Sequence, residues 1–423
     1  MNLDDLGKVL VGFGLLIVLL GVVLGDVVGR ERSPHPGLLD PQSPMRVSGV
    51  LGPAAALVLL AAAGLPAASA STIRVAVLEN ARAVEFRGTD LEVSGTGECP
   101  RCGQPVHVEG ADILLRAVSR DGGVEIDGEP FGRTVRVRSA ATIRVNGREY
   151  VGDFEVATNG DGVVVINELP LEQYVAGALK AEAPATWPRE ALRAQAIVVR
   201  TYAAYQRQLN AGRSYHIVAS TADQQYAGRV DDASPVWDAV RDTAGQVLLW
   251  EGALFATFYH TDDGGYTEAP GAVFAAKDLP ALRPVRCQYD SGPHYRWNLD
   301  LRLADLSEAL RRAGFEVGAV TGIDVAGRSQ TLRVLELVVR GTRGAARLRG
   351  TEFRRLVGYD TLRSTLFAVA VDGQYAHFSG RGWGHGVGMC QAGAAGMAEQ
   401  GYRAAQILAY YYGGANLSTL AER

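Results

Sequence analysis

The chain has 423 residues, of which 47% are hydrophobic and 21% are charged, enough to bury one large or two ordinary globular cores. Its 51 glycines exceed average usage, so many turns and strand connections are expected rather than a helical bundle. A formal net charge of -4 provides no basic surface for phosphate groups, which argues against nucleic acid as a partner.

Two apolar segments within residues 1–70 predict membrane insertion or export. Residues 9–25 form an apolar run at the short limit for crossing a bilayer. A second run, at about 47–65, follows Met45-Arg46 and ends in Ala68-Ser69-Ala70, the small-x-small pattern that signal peptidase cleaves. We therefore expect the chain after residue 70 to be exported to the cell envelope. The alternative is that both runs are buried helices of a soluble domain.

The double apolar element has two interpretations. Arg30, Arg32 and Arg46 lie between the runs, so the positive-inside rule describes a two-span hairpin with this loop in the cytoplasm. Alternatively, translation begins at Met45, because residues 45–70 alone form a complete signal peptide. In both cases the membrane is contacted only through this segment, and the sequence leaves open whether the protein is anchored or released.

The four cysteines suggest structural roles. Cys99-Pro-Arg-Cys102 resembles half of a zinc knuckle, but only His107 is near enough in sequence to add a ligand. Outside the cytoplasm the same pair would form a small disulfide loop. Spacing alone does not assign Cys287 and Cys390 to a bridge.

Residues 71–157 read as a β-rich section. Ile73, Val75 and Val77 alternate with polar or small residues, as in a half-buried strand. Asn146-Gly147 supplies a hairpin turn, and a second turn at 159–162 leads into an apolar strand. The expected structure is therefore a set of short strands joined by tight turns.

Helical periodicity begins after residue 170. Apolar residues recur at i, i+3, i+4, i+7 and i+8 and so share one helix face: Leu171, Tyr174, Val175, Ala178 and Leu179. Glu182 is the next position on that face, which directs its carboxyl group toward a core or a cleft, and Pro184 ends the helix. A second helix is expected from Pro188 to about Gln208.

The remainder of the chain, residues 158–423, mixes helices with strands, so the expected fold class is α+β. Its further expected elements are strands at 245–250 and 253–259 joined by a Glu251-Gly252 turn, a helix at 303–313, strands at 332–339 and 345–348, and a final helix at about 402–412. The two later strands indicate a β-containing insertion at about 300–375 within this part of the chain.

Several catalytic patterns are missing from the sequence: a His-Glu-x-x-His zinc helix, a Gly-x-Ser-x-Gly elbow and a phosphate-binding glycine loop. Three other clusters remain. The first runs from Leu169-Pro-Leu-Glu-Gln-Tyr through Glu182-Ala-Pro to Arg200-Thr-Tyr202, and the second is His260-Thr-Asp-Asp-Gly-Gly-Tyr-Thr267. The third is Gly380-Arg-Gly-Trp-Gly-His-Gly-Val-Gly-Met-Cys-Gln-Ala-Gly-Ala394, followed by Tyr410-Tyr-Tyr-Gly-Gly414.

These clusters, in this order, resemble the stage II sporulation protein D family, which includes the amidase-enhancer proteins, over roughly residues 72–416. The resemblance implies a lytic transglycosylase that cleaves the MurNAc–GlcNAc bonds of peptidoglycan glycan strands, often peptide-stripped ones, and leaves 1,6-anhydro-MurNAc ends. Glu182 matches the acid of the family's Glu-x-Pro motif and would be the single acid–base group. Burial in an apolar cleft would give it the raised pKa that this role requires.

Other residues of the three clusters become candidates for substrate binding: Arg200, Tyr202, Gly264, Gly265, His385 and Gln391. The alternatives are a structural ion pair for Arg200 and bracing of its loop for Gln391. His260 and the tyrosines at 410–412 are interpreted as mainly packed residues. Some relatives bind zinc with cysteines near the segment that matches residues 216–226, but no cysteine lies between 103 and 286 here, so we expect no metal and no cofactor.

Two other functions remain open. The main one is a non-catalytic, peptidoglycan-binding enhancer of a cell-wall amidase, since part of the family is known by that activity. The other is a zinc-dependent wall hydrolase using His216, His260 or His385, although these residues lack the spacing of a zinc motif.

Overall fold

The computed structural model describes residues 71–96, 99, 102–274, 277–290 and 292–420. The signal peptide and membrane segments expected within residues 1–70 lie outside the described residues. Among the helices that are described, none combines the length and the apolar character needed to cross a bilayer. The architecture is mixed α+β, as predicted, with β-rich sheets first and helices with smaller sheets after them.

The N-terminal section consists of short strands in two sheets. These strands are β1 (Thr72–Ala81), β2 (Ala83–Gly88), β3 (Leu91–Thr96), β4 (Val106–Val108), β5 (Ile113–Arg120), β6 (Gly123–Ile126), β7 (Glu129–Pro130), β8 (Thr134–Arg138), β9 (Ile143–Val145), β10 (Arg148–Tyr150), β11 (Asp153–Asn159) and β12 (Gly162–Pro170). One sheet, which also includes β13 (Ile217–Val218), has the order β13-β1-β12-β11-β8-β3-β4, and the other β10-β9-β2-β5-β6-β7. Their facing apolar side chains, including Ile73, Val84 and Phe154, form one core.

Tight turns set the register of these strands. Asn146 and Gly147 have φ angles of 47° and 83°, the two positive values that a two-residue hairpin turn needs. They join β9 to β10 with Val145 opposite Arg148, as the Asn-Gly pair predicted. The second predicted turn joins β11 to β12, where Asn159 lies opposite Gly162.

The cysteines divide into a bridged pair and two free thiols. Cys99 and Cys102 form a disulfide, which is the second of the two alternatives that their spacing left open. Cys287 and Cys390 are buried and unbridged. Both free thiols belong to the core of the C-terminal part of the chain.

Two helices follow the strands, α1 (Leu171–Glu182) and α2 (Arg189–Leu209). All five residues of the predicted apolar face of α1 are buried, and the helix ends where Ala183 becomes extended before Pro184. Helix α2 is shared between two cores, because Val199 and neighbouring residues pack on the N-terminal section while Ile197 and Val198 pack on the C-terminal part. It therefore connects the two halves of the protein.

The C-terminal part is built from α3 (Val236–Asp242), β14 (Gln246–Leu249), β15 (Tyr259–His260), α4 (Pro270–Val273), a short 3-10 helix (Pro280–Leu282), β22 (Met389–Cys390), α7 (Gln391–Glu399), α8 (Ala404–Tyr411) and β23 (Asn416–Thr419). The strand expected at 253–259 is reduced to β15. The strand β15 pairs in parallel with β22, and the Phe258 carbonyl just before it accepts from the Met389 amide of β22 and from the Tyr412 hydroxyl. Residues 254–258 themselves belong to no strand.

The predicted insertion has a core of its own. It contains β16 (Arg296–Arg302), α5 (Leu303–Arg312), β17 (Val320–Arg328), β18 (Val334–Gly341), β19 (Gly344–Arg349), α6 (Gly350–Val357), β20 (Phe367–Asp372) and β21 (Tyr375–Arg381). The strands pair as two sheets, β16-β21-β20 and β17-β18-β19. Leu310, Leu337, Phe353 and Phe378 are buried between them. The helix expected at 303–313 and both expected strands are confirmed, with ends that differ by a few residues.

Candidate functional site

A cleft of about 520 Å³ opens beside the end of α1. The loop at 221–225, β15 and the glycine-rich run before β22 contribute walls, and α6 and the segment after it contribute another. Its polar lining residues include Glu182, Tyr202, Asp223, Tyr259, Arg354, Asp360, His385 and Gln391. Phe258, Phe274 and Trp383 give it apolar and aromatic surface. The cleft thus combines an acid, hydrogen-bonding groups and flat aromatic rings, which are features of a ligand-binding site.

Glu182 is the last residue of α1 and its carboxyl group lies in the cleft. Its Oε1 accepts a hydrogen bond of 2.7 Å from the Gln225 backbone amide. Burial raises the pKa of this carboxyl, while the Gln225 amide and the nearby Tyr259 hydroxyl act in the opposite direction. The Tyr259 hydroxyl is buried and approaches without completing a hydrogen bond of good geometry to any described residue. Glu182 can therefore hold a proton beyond the usual pH range of a glutamic acid.

His385 faces the same cleft from the glycine-rich run. Gly384 has a φ of 118° and a side chain there would meet His260 at 2.7 Å, so only glycine permits this path. The Nδ1 atom of His385 accepts a 3.0 Å hydrogen bond from the Val387 amide, which leaves the proton of a neutral ring on Nε2. Burial lowers the pKa of His385 to about 3, so the ring is neutral.

Gln391 connects the C-terminal part to Glu182. Its side chain is 3% exposed, and its Nε2 donates to the Glu182 backbone carbonyl at 3.1 Å. Tyr202 lies nearby and donates from its hydroxyl to Asp223 at 3.0 Å. Both residues line the cleft, and their hydrogen bonds to protein groups help to position the Glu182 region. Their contact with a substrate stays a prediction.

Arg200 lies away from the cleft, contrary to the substrate-contact hypothesis. Its side chain is 0% exposed, and its guanidinium pairs with the Glu172 carboxylate at 2.7 and 2.8 Å. Further donors reach the carbonyls of Ala196 and Gln246 and the hydroxyl of Thr243. The structure therefore has Arg200 in a structural ion pair, the alternative that the sequence left open. Its planar guanidinium also donates to backbone carbonyls of α2, α3 and β14.

Gly264 and Gly265 form a buried turn rather than a lining of the cleft. Their φ angles are 71° and 112°, and their amides donate to the side chains of Asp262 and Asp263. A side chain at Gly264 would meet the Cβ of Arg381 at 2.7 Å. The turn therefore packs against the end of β21, and these two glycines do not line the cleft.

The tyrosines at 410–412 include two core residues, as the sequence suggested. Tyr411 and Tyr412 are buried, and the Tyr412 hydroxyl donates to the Phe258 carbonyl at 2.7 Å. Tyr410 donates to the Arg286 carbonyl. These contacts fix the wall that carries Phe258.

Comparison with known proteins identifies the family. Residues 159–250 match the family model described as stage II sporulation protein, and residues 281–388 match a domain of unknown function. An uncharacterised protein of Brachyspira hyodysenteriae is 30% identical over 274 residues, which cover 64% of this chain and 73% of that protein. Stage II sporulation protein D of Bacillus subtilis is 27% identical over 270 residues, 60% of this chain and 76% of that protein. The chain belongs to the stage II sporulation protein D family.

A second relative carries a different description. The amidase enhancer of Bacillus subtilis is 26% identical over 344 residues, which are 68% of this chain and 47% of that protein. The chain therefore spans about half the length of this relative. Membership of the stage II sporulation protein D family is consistent with a cell-wall context.

In this family member the cleft is composite. Glu182 and Tyr202 lie within the stretch that matches the sporulation family model, whereas Trp383 and His385 lie within the stretch that matches the domain of unknown function. Gln391 follows both stretches. Residues from three parts of the chain are thus needed to form one site.

Several cleft residues were missed by the sequence interpretation: Asp223, Gln225, Tyr259, Arg354, Asp360 and Trp383. Trp383 had a signal, because it stands inside the third cluster between two glycines. Arg354 and Asp360 had no sequence signal for a role in the cleft, because they belong to the insertion and reach the cleft only through long-range packing. Tyr259 sits in an apolar run that was interpreted only as a strand.

Proposed function

We propose that this protein is a lytic transglycosylase of the cell envelope that cleaves the bond between N-acetylmuramic acid and N-acetylglucosamine in peptidoglycan strands. The observation that supports this most directly is the state of Glu182, a half-buried carboxyl group whose pKa is raised by its surroundings in a cleft lined with aromatic rings. A general acid for glycoside cleavage needs this property. The relative described as an amidase enhancer supports a cell-wall context.

The other carboxyl groups of the cleft are less suited to the role. Asp223 accepts hydrogen bonds from the Tyr202 hydroxyl and the Val218 amide, so both of its oxygens are engaged. Asp360 is exposed in the segment after α6. Glu182 alone among the three combines partial burial with a carboxyl oxygen, Oε2, that completes no hydrogen bond to a described residue, which favours a mechanism with a single acid–base group.

In the proposed reaction Glu182 first donates its proton to the glycosidic oxygen as the bond to C1 of the muramic residue breaks. The 6-hydroxyl of the same sugar then attacks C1, and the Glu182 carboxylate takes the hydroxyl proton. The bond formed is the 1,6-anhydro linkage, the leaving group is the 4-hydroxyl of the next sugar, and no water is consumed. A second carboxylate is unnecessary, in contrast to ordinary glycosidases, because the substrate supplies the nucleophile.

Product identity tests this proposal. Purified, peptide-free glycan strands incubated with the wild-type protein are expected to release fragments with 1,6-anhydro ends, one water lighter than hydrolytic fragments, as measured by mass spectrometry. Fragments with reducing ends would indicate a hydrolase instead. The absence of fragments from a folded, strand-binding protein would remove the transglycosylase proposal.

The pH profile provides a prediction about Tyr259. Glu182 must be protonated to act as the acid, so the rate falls as pH rises through the pKa of Glu182. Because the Tyr259 hydroxyl lowers that pKa, Tyr259→Phe should raise it, and the alkaline limb of the profile should move to higher pH. Initial rates of anhydro-end release across a pH series measure the limb. Tyr375→Phe, at an exposed tyrosine, is the control, and a limb that stays in place or moves to lower pH would contradict the assignment.

A second candidate function is that of a strand-binding enhancer of a cell-wall amidase. It is favoured by the relative described as an amidase enhancer and by the aromatic cleft, which binding alone would use. An enhancer would leave purified strands uncut and would increase the rate at which a separately purified amidase releases stem peptides from whole peptidoglycan. The two assays together separate the functions.

A further inference from the structure

Behind the cleft lies a buried cluster formed by His260, Asp263 and Cys390. A ring nitrogen of the histidine, a carboxylate oxygen of the aspartate and the cysteine sulfur lie within 4.8 Å of one another. The topology brings them together, because β15 and β22 pair in parallel with His260 opposite Cys390, and Asp263 follows in the adjoining turn. Their exposed fractions are 4%, 0% and 0%.

Two of these side chains present polar atoms that no described residue satisfies. The Nδ1 of His260 lies 3.1 Å from the Val387 carbonyl, to which it donates in the neutral ring, and Nε2 then carries a free lone pair. Oδ1 of Asp263 accepts from the Gly265 amide at 2.6 Å, whereas Oδ2 has no hydrogen-bond partner in the described part of the chain. Buried polar atoms are normally paired, so two unpaired acceptors side by side indicate a missing electrophile.

The hydrogen bonds around the cluster are those of metal ligands. A histidine that coordinates a metal usually donates its other ring N–H to a carbonyl, which fixes the tautomer and the ring orientation. His260 makes this hydrogen bond to Val387. The Asp263 carboxylate is likewise oriented by a backbone amide. Preformed ligands of this kind lower the cost of ordering a coordination shell.

The nearby charges suit a divalent cation. The Cys287 thiol lies close by, 3.0 Å from the Tyr411 hydroxyl, but outside the three converging ligand atoms. A dication with one carboxylate and one thiolate would be neutral, and the Asp290 carboxylate, with Oδ2 3.7 Å from the Cys390 sulfur, adds a negative charge beside it. Arg333 is completely buried beside the cluster, with Nη2 on the Asp263 carbonyl at 2.8 Å and with Nε and Nη1 unpaired among the described residues. Its positive charge would balance such a centre.

We propose that the cluster is a structural metal site that binds one zinc-like divalent cation through His260, Asp263 and Cys390, the three side chains whose ligand atoms converge. Imidazole, carboxylate and thiolate together are the ligand types that zinc accepts in four-coordinate sites. This proposal revises the expectation of no metal, which rested on cysteine spacing in another segment. The burial of every ligand makes the site closed, so it would not activate water for hydrolysis.

The site would stabilise the floor of the cleft. His260 directly follows Tyr259, which faces Glu182, and Cys390 directly precedes Gln391, which binds the Glu182 carbonyl. A cation that joins His260 to Cys390 would therefore fix the positions of Tyr259 and Gln391 relative to Glu182. The inference concerns metal binding alone and does not depend on which reaction the cleft performs.

Metal content tests the proposal. Untagged wild-type protein, purified with zinc and then dialysed, is expected to retain about one zinc per chain by elemental analysis. Cys390→Ser and Asp263→Asn should each lower the retained zinc at least tenfold. His377→Ala is the matched control, because His377 also contacts an aspartate, Asp300 at 2.7 Å, but on the exposed surface and without a cysteine.

A spectroscopic measurement keeps the test independent of whether the variants fold. Cobalt(II) added to the wild-type protein should give a thiolate-to-cobalt charge-transfer band in the near ultraviolet and strong visible bands of a four-coordinate ion. Added zinc should remove both. A wild-type protein that retains no zinc and gives no thiolate band, or a folded Cys390→Ser variant that retains as much zinc as wild type, would overturn the proposal.

Discussion

Glu182→Gln should lower the release of 1,6-anhydro ends from peptide-free strands by roughly 10²- to 10⁴-fold, the usual contribution of a general acid. The amide keeps the size of the side chain, and its oxygen can still accept from the Gln225 amide, so the protein should fold normally. It cannot donate a proton to a leaving oxygen. Quantifying the anhydro ends by chromatography and mass spectrometry measures the loss, while a strand-binding assay shows whether affinity is kept.

Glu399→Gln is the matched control for this substitution. Glu399 is the last residue of α7, as Glu182 is the last residue of α1, but its side chain is exposed and outside the cleft. The control should retain the wild-type rate. If Glu182→Gln also retained it, the proton would have to come from another group, and the single-acid mechanism would be abandoned.

Arg200→Ala should act on stability rather than on substrate binding. The substitution leaves Glu172 without its partner and leaves several carbonyls without a donor. Breaking a buried ion pair by removing one partner typically costs 3–5 kcal/mol, and because the Glu172 side chain is 37% exposed we expect the low end, about 3 kcal/mol. Urea unfolding followed by circular dichroism measures the free energy of unfolding, and the affinity of the folded variant for glycan strands should be unchanged.

Arg189→Ala provides the comparison on the same helix. Arg189 pairs with Asp242 at 2.6 Å at the exposed start of α2, where solvent screens the charges, so its removal should change stability little. If the Arg200→Ala protein had normal stability but bound glycan strands more weakly, the result would contradict the structural role and indicate that Arg200 contacts the substrate.

Local patterns in the sequence predicted the setting of Glu182 well. The apolar spacing of α1 and the proline after it located the carboxyl group at the end of a buried face, and the structure has this arrangement. Hairpin turns with Asn-Gly were also predictable, because positive φ angles restrict the residues that can occupy them. Both features depend only on neighbours along the chain.

Where the position of a side chain depends on long-range packing, the sequence interpretation differs from the structure at Arg200 and at the Gly264-Gly265 turn. Arg200 occurs in a recognisable motif, yet its motif position did not distinguish a substrate contact from an ion pair with a residue of another helix. Gly264 and Gly265 were candidates for substrate binding, whereas their turn packs against the end of β21. The sequence contained no metal-ligand motif that joins His260, Asp263 and Cys390, because a parallel strand pair between distant segments brings them together.

The hydrogen bond from Gln391 to the Glu182 carbonyl joins residues 209 positions apart in the chain. Contacts of such high sequence separation require a large loop to close, which costs entropy before any contact offsets it. Helix α1 can form early from local interactions, but its terminal carboxyl group reaches its final surroundings only when the C-terminal segment docks. The cleft is therefore expected to form late in folding. In a nascent chain that does not yet include α7, Glu182 would lack the hydrogen bond from Gln391 that helps to position it.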